Sequence, residues 1–268
     1  MPFTFAHPAA AVPLARPMGR VGILSALIIG SMAPDIAFLV PMGVMRAESH
    51  SLGGLFWYCL PIGLFSYLLY HLFMKRPIIQ LLPPDVVARL APFAASDWVL
   101  RVRTLVPVLV SLLVGAITHL VWDSFTHRGS WGVRHLAVLQ LHLYTGGGFW
   151  IYLYTALQWF CSVLGLVLLA HWSRRWLRDT PLPAEPASPD WSRTDRWLWW
   201  SALALASVAV GALELWTYAF PAPLVSTQEI LIHTLLGVVS GFGMALLCYC
   251  ALWHSRRWLH SNHQPGRR

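Results

Sequence analysis

Six stretches of this chain, roughly residues 21–45, 54–74, 104–122, 148–171, 197–220 and 229–253, are almost unbroken apolar sequence. About 20 apolar residues in a helix cross the hydrocarbon core of a bilayer. Inside that core every backbone N–H and C=O must find its partner within the protein, which restricts a spanning chain to helices or a closed barrel. Runs of this length therefore predict an all-α, polytopic helical membrane protein with about six transmembrane helices. The first run is expected to be broken, because Gly30, Pro34 and Pro41 interrupt it and proline removes a helix donor. Only 11% of the residues are charged, against about 25% in a soluble domain, so no separate soluble domain is expected.

The segment 179–195 (DTPLPAEPASPDWSRTD) is polar and rich in proline. It reads as a linker between a motif-bearing membrane domain of four spans, residues 1–178, and a transmembrane hairpin with a basic tail, residues 196–268. Pro221 and Pro223 mark the turn of that hairpin. Arginine and lysine are concentrated in 75–103, 172–196 and the tail, and are sparse in the alternate loops. The positive-inside rule then places both termini in the cytoplasm. A net charge of +8 is read as this topological signal together with contact to anionic membrane lipids, and no nucleic-acid partner is expected. The cysteines (Cys59, Cys161, Cys248 and Cys250) all lie in apolar sequence and read as small apolar residues.

Polar chemistry in the first half is confined to four islands. They are Phe5-Ala-His7-Pro8, Gly30-Ser-Met-Ala-Pro34-Asp35, Glu48-Ser49-His50-Ser51, and the run His119-Leu-Val-Trp-Asp123-Ser-Phe-Thr-His127. On a helix the last of these puts His119, Asp123 and His127 on one stripe, a turn apart. Imidazole and carboxylate are donors that zinc and similar ions take, and ionisable groups at a membrane span need a partner or a task. A hydrogen bond between turns, a helix cap at Asp35 and a wet loop at His50 are the plainer alternatives. Gln158 and Ser162 share a face of the fourth span and read as an interhelical contact.

These islands, together with Gln158, Ser162 and Gly165, resemble the domain-of-unknown-function 4184 family of bacterial membrane proteins, most strongly over residues 1–171. A more distant resemblance is to predicted membrane-bound metal-dependent hydrolases. The positions that carry that resemblance are His7, Asp35, His50, His119 and Asp123, and the residues are read as one divalent ion, zinc by donor type, on His7, Asp35, His119 and Asp123, with His50, His127 and Glu48 in catalytic support. Ala37 stands where those hydrolases carry a further acid, which weakens a two-metal reading.

The expected function is a membrane-embedded metal-dependent hydrolase of a lipid or lipid-linked ester or phosphodiester, in the bacterial inner membrane. The alternatives are a transporter or ion- or proton-handling protein without hydrolytic activity, and a redox protein using His71, His119 and His233 as haem ligands. One condition is severe. If residues 1–20 are cytoplasmic and 21–45 cross fully, His7 is far from Asp123. For the two to meet, residues 3–15 must re-enter the membrane or the first span must break near Pro34. Otherwise the topology differs or His7 is not a ligand.

Overall fold

The computed structural model describes residues 4–39, 43–95, 102–146, 149–219 and 227–262. Among the described residues, five helices are long and apolar enough to cross a membrane: Leu55–Gln80, Arg103–His135, Leu153–Asp179, Arg193–Thr217 and Glu229–His260. A shorter apolar segment, Leu24–Phe38, makes up the sixth. This is the build of an integral membrane protein.

The chain forms two compact units. The first comprises Met1–Tyr67, Leu100–Trp176 and Ser226–Gln228, and the second comprises Leu68–Val99, Leu177–Val225 and Glu229–Arg268.

The first unit is organised around the crossing of two helices, Leu24–Met32 and Val102–Thr126. Small residues let the backbones touch. A Cβ on Gly30 would lie 2.2 Å from the Leu112 carbonyl oxygen, and one on Gly115 would lie 2.3 Å from that of Leu27. Around the crossing Ala26, Tyr67, Val108 and Leu112 form one buried cluster, while Ala33, Leu55, Tyr58, Cys59 and Ala116 form another. The Leu24–Met32 helix stops where Pro34 cannot donate, and the chain tightens into a 3-10 turn over Ala33–Asp35. This is the break that the sequence predicts.

Residues 4–15 are not a span. They form short helical turns, Thr4–Ala6, Pro8–Ala11 and Val12–Ala15, folded back against the two crossing helices. Gly165 makes room for them, since a Cβ there would sit 2.9 Å from the Ala6 carbonyl. The fourth span begins later than 148. Phe149–Tyr152 pairs instead as an antiparallel strand with His142–Gly146, and the helix starts at Leu153. Aromatic and β-branched residues after a run of glycines suit a pleated ribbon better than a helix start. Much of the expected 221–228 turn lies outside the described residues.

The second unit packs Leu81, Trp191, Leu203, Tyr249, Cys250 and Trp253 into one core. Pro77 lacks the N–H that would bond the Phe73 carbonyl; His254 Nε2 bonds it instead at 2.9 Å. The neighbouring turn Tyr70–Met74 widens to a π-helix, as helices do next to such interruptions. Tyr249 ties the core together: its hydroxyl accepts from Trp191 Nε1 at 3.0 Å and donates to the Pro77 carbonyl at 2.9 Å. Tyr249→Phe strands both buried partners and is expected to cost about 1–3 kcal/mol, read as a lower denaturation midpoint in detergent. An unchanged midpoint would remove this role.

Candidate metal centre

Each polar island sits where a helix ends or breaks. Asp35 closes the 3-10 turn after the Leu24–Met32 helix. His50 follows the single turn Arg46–Ser49. His119 and Asp123 lie one turn apart near the end of the Val102–Thr126 helix. His7 precedes the turn Pro8–Ala11. In the first unit these ends meet. His7, Asp35, His119 and Asp123 are all buried, and the His119 ring is sealed from solvent.

Four donor atoms face one another. His50 Nε2 lies 3.3 Å from His119 Nε2, 3.3 Å from Asp35 Oδ1 and 3.5 Å from Asp123 Oδ2. His119 Nε2 lies 3.6 Å from Asp35 Oδ1 and 3.4 Å from Asp123 Oδ2. One donor from each of these residues can be chosen so that all four fall within 4.8 Å of one another. A regular tetrahedron around an ion bound at about 2.0–2.2 Å has edges of about 3.3–3.6 Å. The five distances match that figure.

The imidazoles are oriented by their other nitrogens. His119 Nδ1 lies 2.8 Å from the Ser31 carbonyl. A carbonyl only accepts, so the proton is on Nδ1 and the Nε2 lone pair points into the cage. Ser49 Oγ donates to the Arg46 carbonyl at 3.3 Å and is left to accept from His50 Nδ1 at 2.9 Å. With Nδ1 protonated, the neutral His50 imidazole also turns its Nε2 lone pair inward, and the pull of Asp123 and Asp35 on a proton at Nε2 is what an ion would replace. The Thr4 hydroxyl donates to Asp35 Oδ2 at 2.6 Å, leaving Oδ1 for the cage. Such outer partners are what fix and strengthen metal ligands.

Two lone pairs and two carboxylate oxygens at this spacing repel one another unless a cation lies among them. The His50 imidazole records that demand. Burial pulls its pKa down, but hydrogen bonding to Asp123 and Asp35 outweighs burial and holds it above the ordinary value. Arg46 supplies more positive charge, donating from Nη2 to Asp123 Oδ2 at 2.6 Å.

The remaining expected residues fall in three places. His7 stacks on His119 with ring centroids 3.8 Å apart, and its Nε2 is 3.5 Å from Asp123 Oδ1. It therefore flanks the cage, and His50 occupies the fourth corner. Burial first, and then the neighbouring His119, push the His7 imidazole down to about 3, so it is neutral. His127 Nδ1 lies 3.2 Å from Asp123 Oδ1, while its Nε2 accepts from Gln158 Nε2 at 2.7 Å. Glu48 is not brought in: it is exposed, and its carboxylate accepts from the Met45 N–H at 2.8 Å. His7 Nδ1 is buried without a hydrogen-bond partner.

Arg46 and Thr4 lie outside the four polar islands, and Ser31 and Ser49 lie within them without an expected role. For Ser31 the contributing atom is a backbone carbonyl, which leaves no mark on residue choice. For Arg46 the nearness to Ser49-His50 was the available signal.

The elements that build this centre coincide with a known sequence pattern. The Domain of unknown function (DUF4184) matches residues 1–251. The chain belongs to this family. The match runs from the His7 turn through both crossing helices and into the last long helix, so the matched region spans every residue of the cage. No curated protein and no solved structure matches the chain. Within DUF4184 this member presents a buried Asp-His-His-Asp cluster that could bind a metal ion.

Proposed function

We propose that this DUF4184 protein is a membrane-embedded, metal-dependent hydrolase acting on a lipid or lipid-linked ester or phosphodiester. Asp35, His50, His119 and Asp123 hold one divalent ion, zinc by donor type. The supporting observation is the cage itself: five donor–donor distances of 3.3–3.6 Å with both imidazole lone pairs turned inward. A divalent ion there would supply Lewis acidity, acidifying water towards a pKa of about 7 and polarising the scissile group. The chain's own residues do the rest. His127, steadied by Gln158, holds Asp123 Oδ1 and is placed to carry a proton. His7 and Trp122 wall the site on the His119 side. The apolar setting suits a substrate that arrives from the bilayer. Loop charges support a bacterial inner-membrane location with both termini cytoplasmic, and residues 1–178 as the domain that carries the chemistry.

The donor count favours a second reading as well. Four protein ligands fill a tetrahedron, whereas catalytic zinc keeps a position open. Hydrolysis then needs a fifth position or the loosening of one donor. An ion- or proton-handling protein needs neither.

Both readings expect about one zinc per chain after purification in detergent. Removal by a chelator should abolish turnover of lipid esters or phosphodiesters, and zinc should restore it. Ion flux into liposomes without lipid turnover would select the second reading. A metal-free protein indifferent to added zinc would end both.

A further inference from the structure

Arg46 occupies a position that a bound cation would contest. Its Nη2 donates to Asp123 Oδ2 at 2.6 Å, and that same oxygen is the cage corner 3.4–3.5 Å from the two imidazoles. Its side chain is 34% exposed, whereas that of Asp123 is 6% exposed. The guanidinium therefore reaches from the rim of the site into its floor.

Charge counting shows what this arrangement lacks. Asp35 and Asp123 carry two negative charges and Arg46 one positive, and imidazoles that ligate an ion are neutral. A divalent ion changes the sum to one positive. It also takes over Asp123 Oδ2, bringing two cations within about 5 Å of each other in a buried site. Such a site calls for an anion. A carboxylic ester is neutral and does not supply one. A phosphate does, and the planar guanidinium fork matches its oxygens bidentately.

We propose that Arg46 is a substrate-binding residue, held on Asp123 until the ion is bound and then free to take a phosphate, so that the substrate class is a phosphodiester or phosphomonoester rather than a carboxylic ester. This rests on the metal reading above and narrows it. The phosphate has two sources, a lipid headgroup or a soluble phosphate, and the experiment separates them.

The zinc-loaded protein in phosphate-free maltoside micelles is titrated with inorganic phosphate, with dihexanoylphosphatidylglycerol and with neutral dihexanoylglycerol. Zinc content is measured on the same samples. At least one phosphate-bearing probe should bind the loaded protein, and the neutral probe should not. The tighter of the two phosphate probes names the source. Arg46→Gln should weaken phosphate binding roughly 10- to 100-fold, the usual loss of a charged hydrogen bond. The same variant should hold zinc at least as tightly as the wild type, because a competing cation has been removed. Arg46→Lys, which keeps the charge without the fork, should fall between and serves if Arg46→Gln does not fold. Zinc and phosphate affinities falling together would show Arg46 to be merely structural and overturn the proposal. So would zinc-loaded protein that ignores both phosphate probes, with the metal reading left intact. Wild-type protein without zinc would overturn both.

Discussion

Asp123→Ala is expected to abolish metal retention by the purified protein, with affinity falling by far more than the 10- to 100-fold typical of outer partners. Both oxygens of this carboxylate are engaged. Asp123 Oδ2 meets Arg46, His50 and His119, and Oδ1 faces His7 and His127. Removing it deletes one ligand and leaves Arg46 without its counter-charge. Breaking a buried pair in this way costs about 3–5 kcal/mol, less here because the arginine is part-exposed. Asp123→Asn keeps the shape and separates the two effects. It should fold more nearly like the wild type yet still lose most of the metal, since a neutral amide is a poor zinc donor. Metal analysis beside thermal unfolding reads both. Full zinc occupancy in Asp123→Ala would remove Asp123 from the ligand set.

The second large effect is expected far from any donor atom. Gly115→Leu should lower stability by about 3 kcal/mol, at the upper end of the overpacking range. Already the first side-chain carbon would meet the Leu27 carbonyl at 2.3 Å and the Ser31 amide at 2.7 Å. Both are backbone atoms and cannot rotate away. The Leu24–Met32 helix must move outward, and it carries the Ser31 carbonyl that orients His119. Metal content should therefore fall together with the melting temperature. Gly115→Ala is the milder form of the same test. A Gly115→Leu protein that melts with the wild type would mean that the two helices do not cross in contact.

The spans were legible because lipid demands length and apolarity, and both are written in composition. The break at Pro34 was legible for a local reason, a missing donor. The strand at Phe149–Tyr152 was not, since an apolar aromatic run reads alike as a ribbon or a helix start. In the site, the His119–Asp123 stripe followed from helical spacing alone. That Asp35 and His50 share one cage with them depends on tertiary packing of the 24–32 and 102–126 helices, which no periodicity records. Ring orientation sets His7 and His50 apart: His7 lies flat on His119, while His50 meets it edge-on at 66° with its Nδ1 beside Ser49.

The outward anchoring of both imidazoles has a bearing on which ions the protein can discriminate. Ser31 and Ser49 hold the rings with their donor atoms already close together, so little reorganisation would accompany capture of an ion. A rigid aperture of this size suits ions that bond at about 2.0–2.2 Å and strains around calcium, which bonds at about 2.3–2.6 Å and asks for six to eight oxygens. Calcium in large excess should therefore fail to displace zinc.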